Sequence, residues 1–343
     1  MKFTLLQNLA LSLASISLIG IILLTNNIFV YVSAQPSSCI EPPAGMIGWW
    51  PGDGDASDIQ GSSSGSINGE VSFTSGKVDN AFTFSGNGHV ATSLNSITGG
   101  SGSGTIDFWI KIPTPTTSAQ HPVGIDNLLR FITTPHGELS VSVTVNTNSG
   151  PLGLTTGTIF PAGTDFHHVA IAYDSSIGKG ILYLDGIEVD QTAPVDPGTK
   201  LVSSGQGGLT LGDVFEGGQA FVGSIDEIEI YNLALTQNQI QSIFNAGNVG
   251  KCKPTPSERV DAMIEVLESF DLPTGVENSL KSNLQQIEQL LNDGNPNNDG
   301  AACGILSSFL QKVDQRLQNN QITEEQATIL SGKANIIITE LEC

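Results

Sequence analysis

Hydrophobic residues recur at three different spacings, and these spacings divide the chain into three parts. Apolar residues run almost without interruption over residues 9–24. Between residues 39 and 252, short apolar runs alternate with polar positions at a period of two, as in residues 139–145 and 167–173. Beyond residue 256 the apolar spacing changes to three and four. The pattern predicts an export signal, a β domain and a helical domain, in that order.

The N-terminal segment has the layout of a secretory signal peptide. Lys2 supplies a positive charge before the apolar run, and Val32-Ser33-Ala34 places small residues before a cleavage point. We therefore predict a signal peptide over residues 1–34 and a secreted or cell-surface protein. The alternative is an uncleaved anchor, since the apolar stretch is long. Membrane contact is then expected through this segment only, because no later stretch reaches ~20 apolar residues.

Residues 39–252 carry the signature of an all-β domain. Glycine, serine and asparagine clusters separate the apolar runs, and Asp185-Gly186 between apolar flanks is a strong hairpin signal. No amphipathic helix of 10–15 residues lies between the runs, which excludes a parallel βαβ sheet. The predicted fold class is mostly β, a two-sheet antiparallel sandwich followed by a small four-helix all-α domain.

The remaining residues predict a linker at 253–256 and a helical bundle over 257–343. Pro254-Thr255-Pro256 marks the change of period. Two capping boxes are present, Thr255 with Glu258 and Thr323 with Gln326, and each opens an amphipathic segment. Four such segments joined by short loops predict an antiparallel bundle.

Four cysteines are consistent with an oxidising compartment. Sequence alone allows three pairings. Position favours Cys39 with Cys252 and Cys303 with Cys343, because each bond then closes within one domain. The sequence has no Cys-x-x-Cys motif and no histidine near a cysteine, so it does not indicate a metal site at the cysteines.

The charge balance restricts the class of partner. Asp and Glu number 34 against 13 Lys and Arg, for a formal net charge of −21. Such a surface repels phosphate backbones, so nucleic acid is excluded as a partner.

Several motifs of the β domain resemble the LamG-like jelly roll of the concanavalin A-like lectin/glucanase superfamily. The resemblance covers about 210 residues in family order and implies two packed antiparallel sheets in a secreted binding or spacer module. The residues that carry it are Gly48-Trp-Trp-Pro-Gly-Asp-Gly54, Asp58-Ile-Gln-Gly61, Ala81-Phe-Thr-Phe84, Phe108-Trp-Ile110, Phe166-His-His-Val-Ala170, Leu182-Tyr-Leu-Asp-Gly-Ile-Glu188 and Gly223-Ser-Ile-Asp-Glu-Ile-Glu-Ile-Tyr231.

The helical part resembles the FIMAH-type domain that trails secreted multidomain proteins. Residues 270–280, Ala301-Ala302-Cys303 and the terminal Cys343 carry this resemblance. It implies an accessory domain with no chemistry of its own.

One loop suggests a calcium site. Asp53, Asp55 and Asp58 lie in a glycine-rich loop, where carboxylates and turned-in carbonyls suit a hard cation. The resemblance adds Asp226, since members of this fold class often hold calcium between this loop and the last strand. Ca²⁺ is therefore the candidate cofactor. The alternative is that Asp-Gly pairs here only form turns.

Catalytic residues are not predicted, although the same fold hosts glucanases. A hydrolytic pair on one strand face needs acids at alternate positions. Asp226-Glu227-Ile228-Glu229 lacks that spacing, and in a regular strand Asp226 and Glu229 point to opposite faces. The adjacent His167 and His168 cannot chelate one ion for the same reason.

The sequence thus predicts a non-catalytic extracellular binding or adhesion module for a glycan or a surface protein. Trp49, Trp50 and Trp109 are either sugar-stacking platforms or core residues. The alternatives are a secreted glycoside hydrolase on the same fold and a structural component of the cell envelope.

Overall fold

The computed structural model describes residues 39–61, 63–98, 101–113, 118–125, 128–134, 140–155, 163, 165–202, 207–212, 220–295, 298, 300–341 and 343. The predicted signal segment lies outside the described residues. The described residues belong to one compact unit. None of the helices they form combines the length and hydropathy needed to cross a membrane.

The β domain contains thirteen strands within the described residues. They are β1 (Met46–Trp50), β2 (Ser66–Ser75), β3 (Asn80–Ala91), β4 (Gly104–Lys111), β5 (Val123–Ile125), β6 (Leu129–Thr134), β7 (Ser140–Thr147), β8 (Gly150–Thr155), β9 (His167–Asp174), β10 (Lys179–Leu184), β11 (Ile187–Gln191), β12 (Leu209–Leu211) and β13 (Val222–Tyr231). The predicted Asp185-Gly186 turn joins β10 to β11, with both residues at positive φ, 50° and 76°. This is the backbone that a two-residue hairpin of type I′ requires.

All strand pairs are antiparallel, and hydrogen bonds connect them into one continuous network. The order is β11-β10-β9-β4-β13-β3-β12-β5-β6-β7-β8, with β1 added beside β13 and β2 beside β3. The short strand β12 pairs with both β3 and β5 and so joins two halves that the sequence pattern predicts as separate sheets. Strand β8 also lies against β10 and β11. The result is an antiparallel sandwich close to a barrel, consistent with a concanavalin A-like fold.

The main core lies inside this sandwich because alternate residues of each strand point inward. Phe82, Phe108, Phe131 and Phe221 are nearly or fully buried there. Trp49 and Trp50 are both fully buried, and Trp109 is 2 % exposed. The tryptophans are therefore core residues and offer no platform for a sugar ring.

Helix α1 (Gln237–Ala246) covers the outer face of the central strands. Its Thr236 cap forms a capping box with Gln239. Ile240 and Ile243 bury a second, smaller apolar cluster against that face, together with Tyr183 and Tyr231. Strands β4, β9 and β13 are consequently buried on both faces.

Four further helices form the C-terminal domain: α2 (Pro256–Ser269), α3 (Thr274–Leu291), α4 (Gly300–Gln318) and α5 (Glu324–Glu340). Both predicted capping boxes are confirmed, at Thr255 with Glu258 and at Thr323 with Gln326. The apolar faces of the four helices meet in one core that includes Leu284 and Phe309. Consecutive helices pack against each other, and α5 also packs on α2, as in a bundle.

Two disulfide bonds tie the chain, with the pairing that the cysteine positions favour. Cys39 bonds to Cys252 across a sequence separation of 213 residues, and Cys303 bonds to Cys343 across 40. The first bond joins the two ends of the β domain. The second attaches the end of the chain to the start of α4.

Candidate functional site

A β-bulge in β13 brings acidic side chains to one face of the sheet. The pairing of β13 with β4 shifts register between Asp226 and Glu229, and Glu227 in between has φ 51°. Asp226 lies opposite Trp109, whereas Glu229 lies opposite Asp107. Since residues two apart on β4 share a face, Asp226 and Glu229 do too. The expectation that they point to opposite faces is wrong, because it assumed a regular strand.

The bulge completes a buried polar cluster beneath α1. Lys251 Nζ lies 2.6 Å from Glu229 Oε1 and 3.9 Å from Glu227 Oε2. His168 Nε2 lies 3.2 Å from Asp107 Oδ2. The three acids are at most 1 % exposed and Lys251 is 4 % exposed. Buried charges at this density require mutual pairing.

Burial and pairing set the proton affinities within this cluster. Burial, together with the neighbouring Asp107 carboxylate, raises the pKa of Glu229 well above its ordinary value. Burial also favours the neutral form of Asp107, but hydrogen bonds from His168 and Glu229 outweigh it and lower the pKa of Asp107. For Lys251 the acids outweigh burial and raise its pKa. Burial and neighbouring charges thus move the pKa values of Glu229 and Asp107 in opposite directions.

Several members of this cluster were missed by sequence reasoning. Lys251 approaches because Ile40 pairs with it and the adjacent Cys252 bonds to Cys39. Trp49 donates its indole N–H to Glu227 Oε2 at 3.1 Å. The only sequence signal is that Asp107 and Glu229 occupy polar positions within otherwise apolar strands.

The predicted calcium loop is organised by hydrogen bonds within the protein. Asp58 is fully buried, and its carboxylate accepts main-chain N–H groups from four residues: Trp49, Gln60, Gly61 and Ser63. Burial raises the pKa of Asp58, and these four bonds oppose it. Asp58 therefore holds the loop in shape.

The other three predicted ligands have separate partners. Asp53 accepts Lys253 Nζ at 2.6 Å and the Asn80 N–H at 3.0 Å. Asp55 accepts the N–H of Ser57. Asp226 Oδ2 accepts the N–H groups of Lys77 and Val78 at 2.6 and 3.0 Å.

As arranged here, these four carboxylates do not form one ligand shell. No group of three or more histidine, cysteine or acidic residues suited to a metal occurs within the described residues. Binding of calcium at Asp53 requires the Lys253 ammonium to leave that carboxylate. Calcium binding stays a prediction.

The two histidines have structural partners. His167 Nδ1 lies 2.8 Å from Asp185 Oδ2, at the turn between β10 and β11. His168, on the opposite face, belongs to the buried cluster.

A cavity of about 560 Å³ lies between the β domain and the helical bundle. The disulfide Cys39–Cys252, the loop at Ile59–Gly61, the linker and residues of α2 and α5 line it. Three basic side chains reach it, Lys253, Arg259 and Lys333, in a chain that has only 13. This volume falls within the range of about 300–1,000 Å³ that is typical of small-ligand sites.

The walls of this cavity, which we call the junction cavity, are connected by hydrogen bonds across the two parts. Arg259 binds Glu340 through Nε and Nη2 at 2.8 and 2.9 Å, and its Nη1 donates to the Ile59 carbonyl. Lys333 donates to the carbonyls of Gln60 and Gly61, both at 3.2 Å. Both folded parts therefore line the cavity, and hydrogen bonds join them across it.

One known protein family is similar to part of the β domain. Residues 84–241 match the profile of the Laminin_G_3 family, described as the concanavalin A-like lectin/glucanases superfamily. The match runs from within β3 into α1. This segment is therefore similar to domains of that superfamily.

Several solved structures are similar to part of the chain. One of them is domain 4 of AbnA, a GH43 extracellular arabinanase from Geobacillus stearothermophilus, solved in complex with arabinotriose. Its sequence is 22% identical and its TM-score is 0.46, and the match covers 57% of this chain and 97% of that one. The binding domain of Botulinum Neurotoxin DC in complex with rat synaptotagmin II is 16% identical with a TM-score of 0.48, covering 59% and 51%. The chain thus spans about half of that toxin domain.

Proposed function

We propose that this protein is an extracellular, non-catalytic binding protein whose ligand is a glycan or a surface protein. The observation that carries the proposal is the junction cavity, which is walled by both folded parts and lined by charged side chains. Its opening between two domains is a common position for a ligand site. The two disulfides support an oxidising, extracellular location.

The state of the acidic residues supports a role without catalysis. A hydrolytic pair must touch its substrate, with the two carboxyl groups about 5–10 Å apart around the scissile bond. Asp107, Glu227 and Glu229 are at most 1 % exposed and lie under α1, paired with Lys251 and His168. In this arrangement a substrate does not reach these carboxyl groups.

A glycoside hydrolase remains the second candidate, and one observation favours it. The pKa of Glu229 is raised and that of Asp107 is lowered, which is how a general acid and its ionised partner are distinguished in hydrolases. For this to operate, α1 has to move away from the sheet.

One experiment separates these functions. The purified chain is applied to a glycan array and to a polysaccharide hydrolysis panel, beside the Glu229→Gln variant. We expect binding to array glycans and no product release. If the chain hydrolyses a polysaccharide and Glu229→Gln abolishes this activity, the protein is an enzyme instead. If no array glycan binds and the chain captures no surface protein, a structural component of the envelope is the remaining function.

Three finer assignments belong to the same proposal. The N-terminal segment directs export, the bundle is a FIMAH-type accessory domain, and calcium stabilises the loop at Asp53, Asp55 and Asp58 together with Asp226. The calcium assignment is tested by calorimetric titration and by melting with calcium or chelator. Identical melting and no heat of binding would remove it.

A further inference from the structure

The junction cavity contains a cation whose charge has no acidic partner among the described residues. Lys333 Nζ bonds to two neutral carbonyl oxygens, of Gln60 and Gly61, and lies within 4.0 Å of no described carboxylate. Two N–H donors of the ammonium are thus used, and it has three.

The other two cations of the cavity are neutralised. Arg259 forms a two-point ion pair with Glu340. Lys253 lies 2.6 Å from Asp53 and 3.0 Å from Asp79. Lys333 is therefore different from its neighbours in the cavity.

The Lys333 side chain is only partly exposed, and this makes its unpaired charge costly. Desolvation lowers the pKa of Lys333, the Asp58 carboxylate opposes this, and Arg259 adds to it. Asp58 does not contact the Lys333 ammonium within 4.0 Å, and its oxygens accept main-chain N–H groups instead. An anion from outside the chain would balance the charge of this partly buried ammonium.

The remaining walls indicate what else such a ligand carries. Glu258 is occupied by its own helix cap at Thr255, while the exposed Glu41 lies at the rim. Apolar contact comes from aliphatic side chains such as Ile59 and Ile336, and no aromatic ring lines the cavity in the described residues. A ligand that fits this cavity offers a hydroxyl donor to the Glu41 carboxylate. It does not need an aromatic surface on which to stack.

We propose that the junction cavity binds a carboxylate-bearing sugar, whose carboxylate pairs with Lys333 Nζ. This inference rests on the proposed binding function and names its ligand class. The ligand is either a free acidic monosaccharide or the acidic end of a longer glycan.

The test is calorimetric titration of the purified chain with glucuronic, galacturonic and N-acetylneuraminic acids, beside neutral glucose and galactose. We expect at least one acid to bind and its neutral counterpart to bind at least tenfold more weakly. An acidic oligosaccharide that binds more tightly than the monosaccharide identifies a glycan end as the source. Equal affinity for acidic and neutral sugars, or binding of none, overturns the proposal.

Variants locate the site. Lys333→Met is expected to weaken acid binding at least tenfold, whereas Lys333→Arg retains most of it. Lys200→Met removes the same charge from an exposed position of the β domain and serves as the matched control. Unchanged binding by Lys333→Met overturns the site.

A second variant covers the case in which Lys333→Met does not fold. Ala262→Phe fills the cavity from α2 without altering charge, and it should also abolish binding. If the chain binds neutral glycans on the array and both variants bind acidic sugars as tightly as the unaltered chain does, the binding function stands and this inference fails.

Discussion

The carboxyl group of Asp226 makes the free energy of unfolding depend on pH. Burial, followed by the nearby Glu227 carboxylate, raises the pKa of Asp226 to about 8. The folded protein thus keeps this proton to a higher pH than the unfolded chain does. The free energy of unfolding therefore falls as pH rises from about 4 to about 8, by at most about 1.4 kcal/mol per pH unit for one proton.

We expect Asp226→Asn to remove this slope, because the amide is neutral at every pH and its oxygen still accepts the Lys77 and Val78 N–H groups. Urea unfolding between pH 5 and 8 in the presence of a chelator measures it. The exposed Asp196→Asn is the control. Asp226→Ala, in contrast, should cost about 1–3 kcal/mol for each buried donor left without an acceptor. A slope that survives in Asp226→Asn would assign the pH dependence to the Glu229 cluster.

The helices of the bundle are stabilised at their ends as well as in their shared core. Capping boxes open α2 and α5, and the Cys303–Cys343 bond attaches the chain after α5 to α4. A small bundle has a modest core, so a covalent constraint contributes a large share of its stability.

Replacing both cysteines, Cys303→Ser with Cys343→Ser, should lower the free energy of unfolding by about 4 kcal/mol, as the chain-entropy model gives for a loop of this length. Thr323→Ala, which removes one cap, should cost about 1 kcal/mol. Urea titration followed by helical circular dichroism compares the two. A double-serine variant no less stable than the cap variant would show that the bundle core alone suffices.

The β domain and the bundle are joined by more than the linker. Arg259 on α2 contacts both Glu340 and the Ile59 carbonyl, and Lys333 on α5 contacts the same loop. These bonds cross from the bundle to the loop that Asp58 holds in shape.

Arg259→Met should therefore loosen the junction. We expect cleavage of the linker at residues 253–256 by a broad-specificity protease to become about tenfold faster, which corresponds to about 1.4 kcal/mol. Arg316→Met is the control, since Arg316 donates hydrogen bonds to Ser279 and Gln321 within the bundle. Mass spectrometry identifies the cut, and an unchanged rate would mean that apolar packing alone holds the two parts together.

Local chemistry was sufficient to predict much of this architecture from the sequence. Periods of two and of three to four distinguish strands from helices, because they reflect the backbone geometry of each. The Asp185-Gly186 turn and the caps at Thr255 and Thr323 depend on neighbouring residues only, and the structure confirms all three.

The functional features depend on contacts that only the tertiary structure decides. One bulge residue at Glu227 turns Glu229 toward Asp107, and a period-two pattern cannot reveal a shift of register. Lys333 meets the loop at Gln60 because two domains pack together and bring these distant positions of the sequence into contact. Charge pairing is set by distance in space, so the sequence determined which residues were polar, and the fold determined which of them are paired, buried or left facing a cavity.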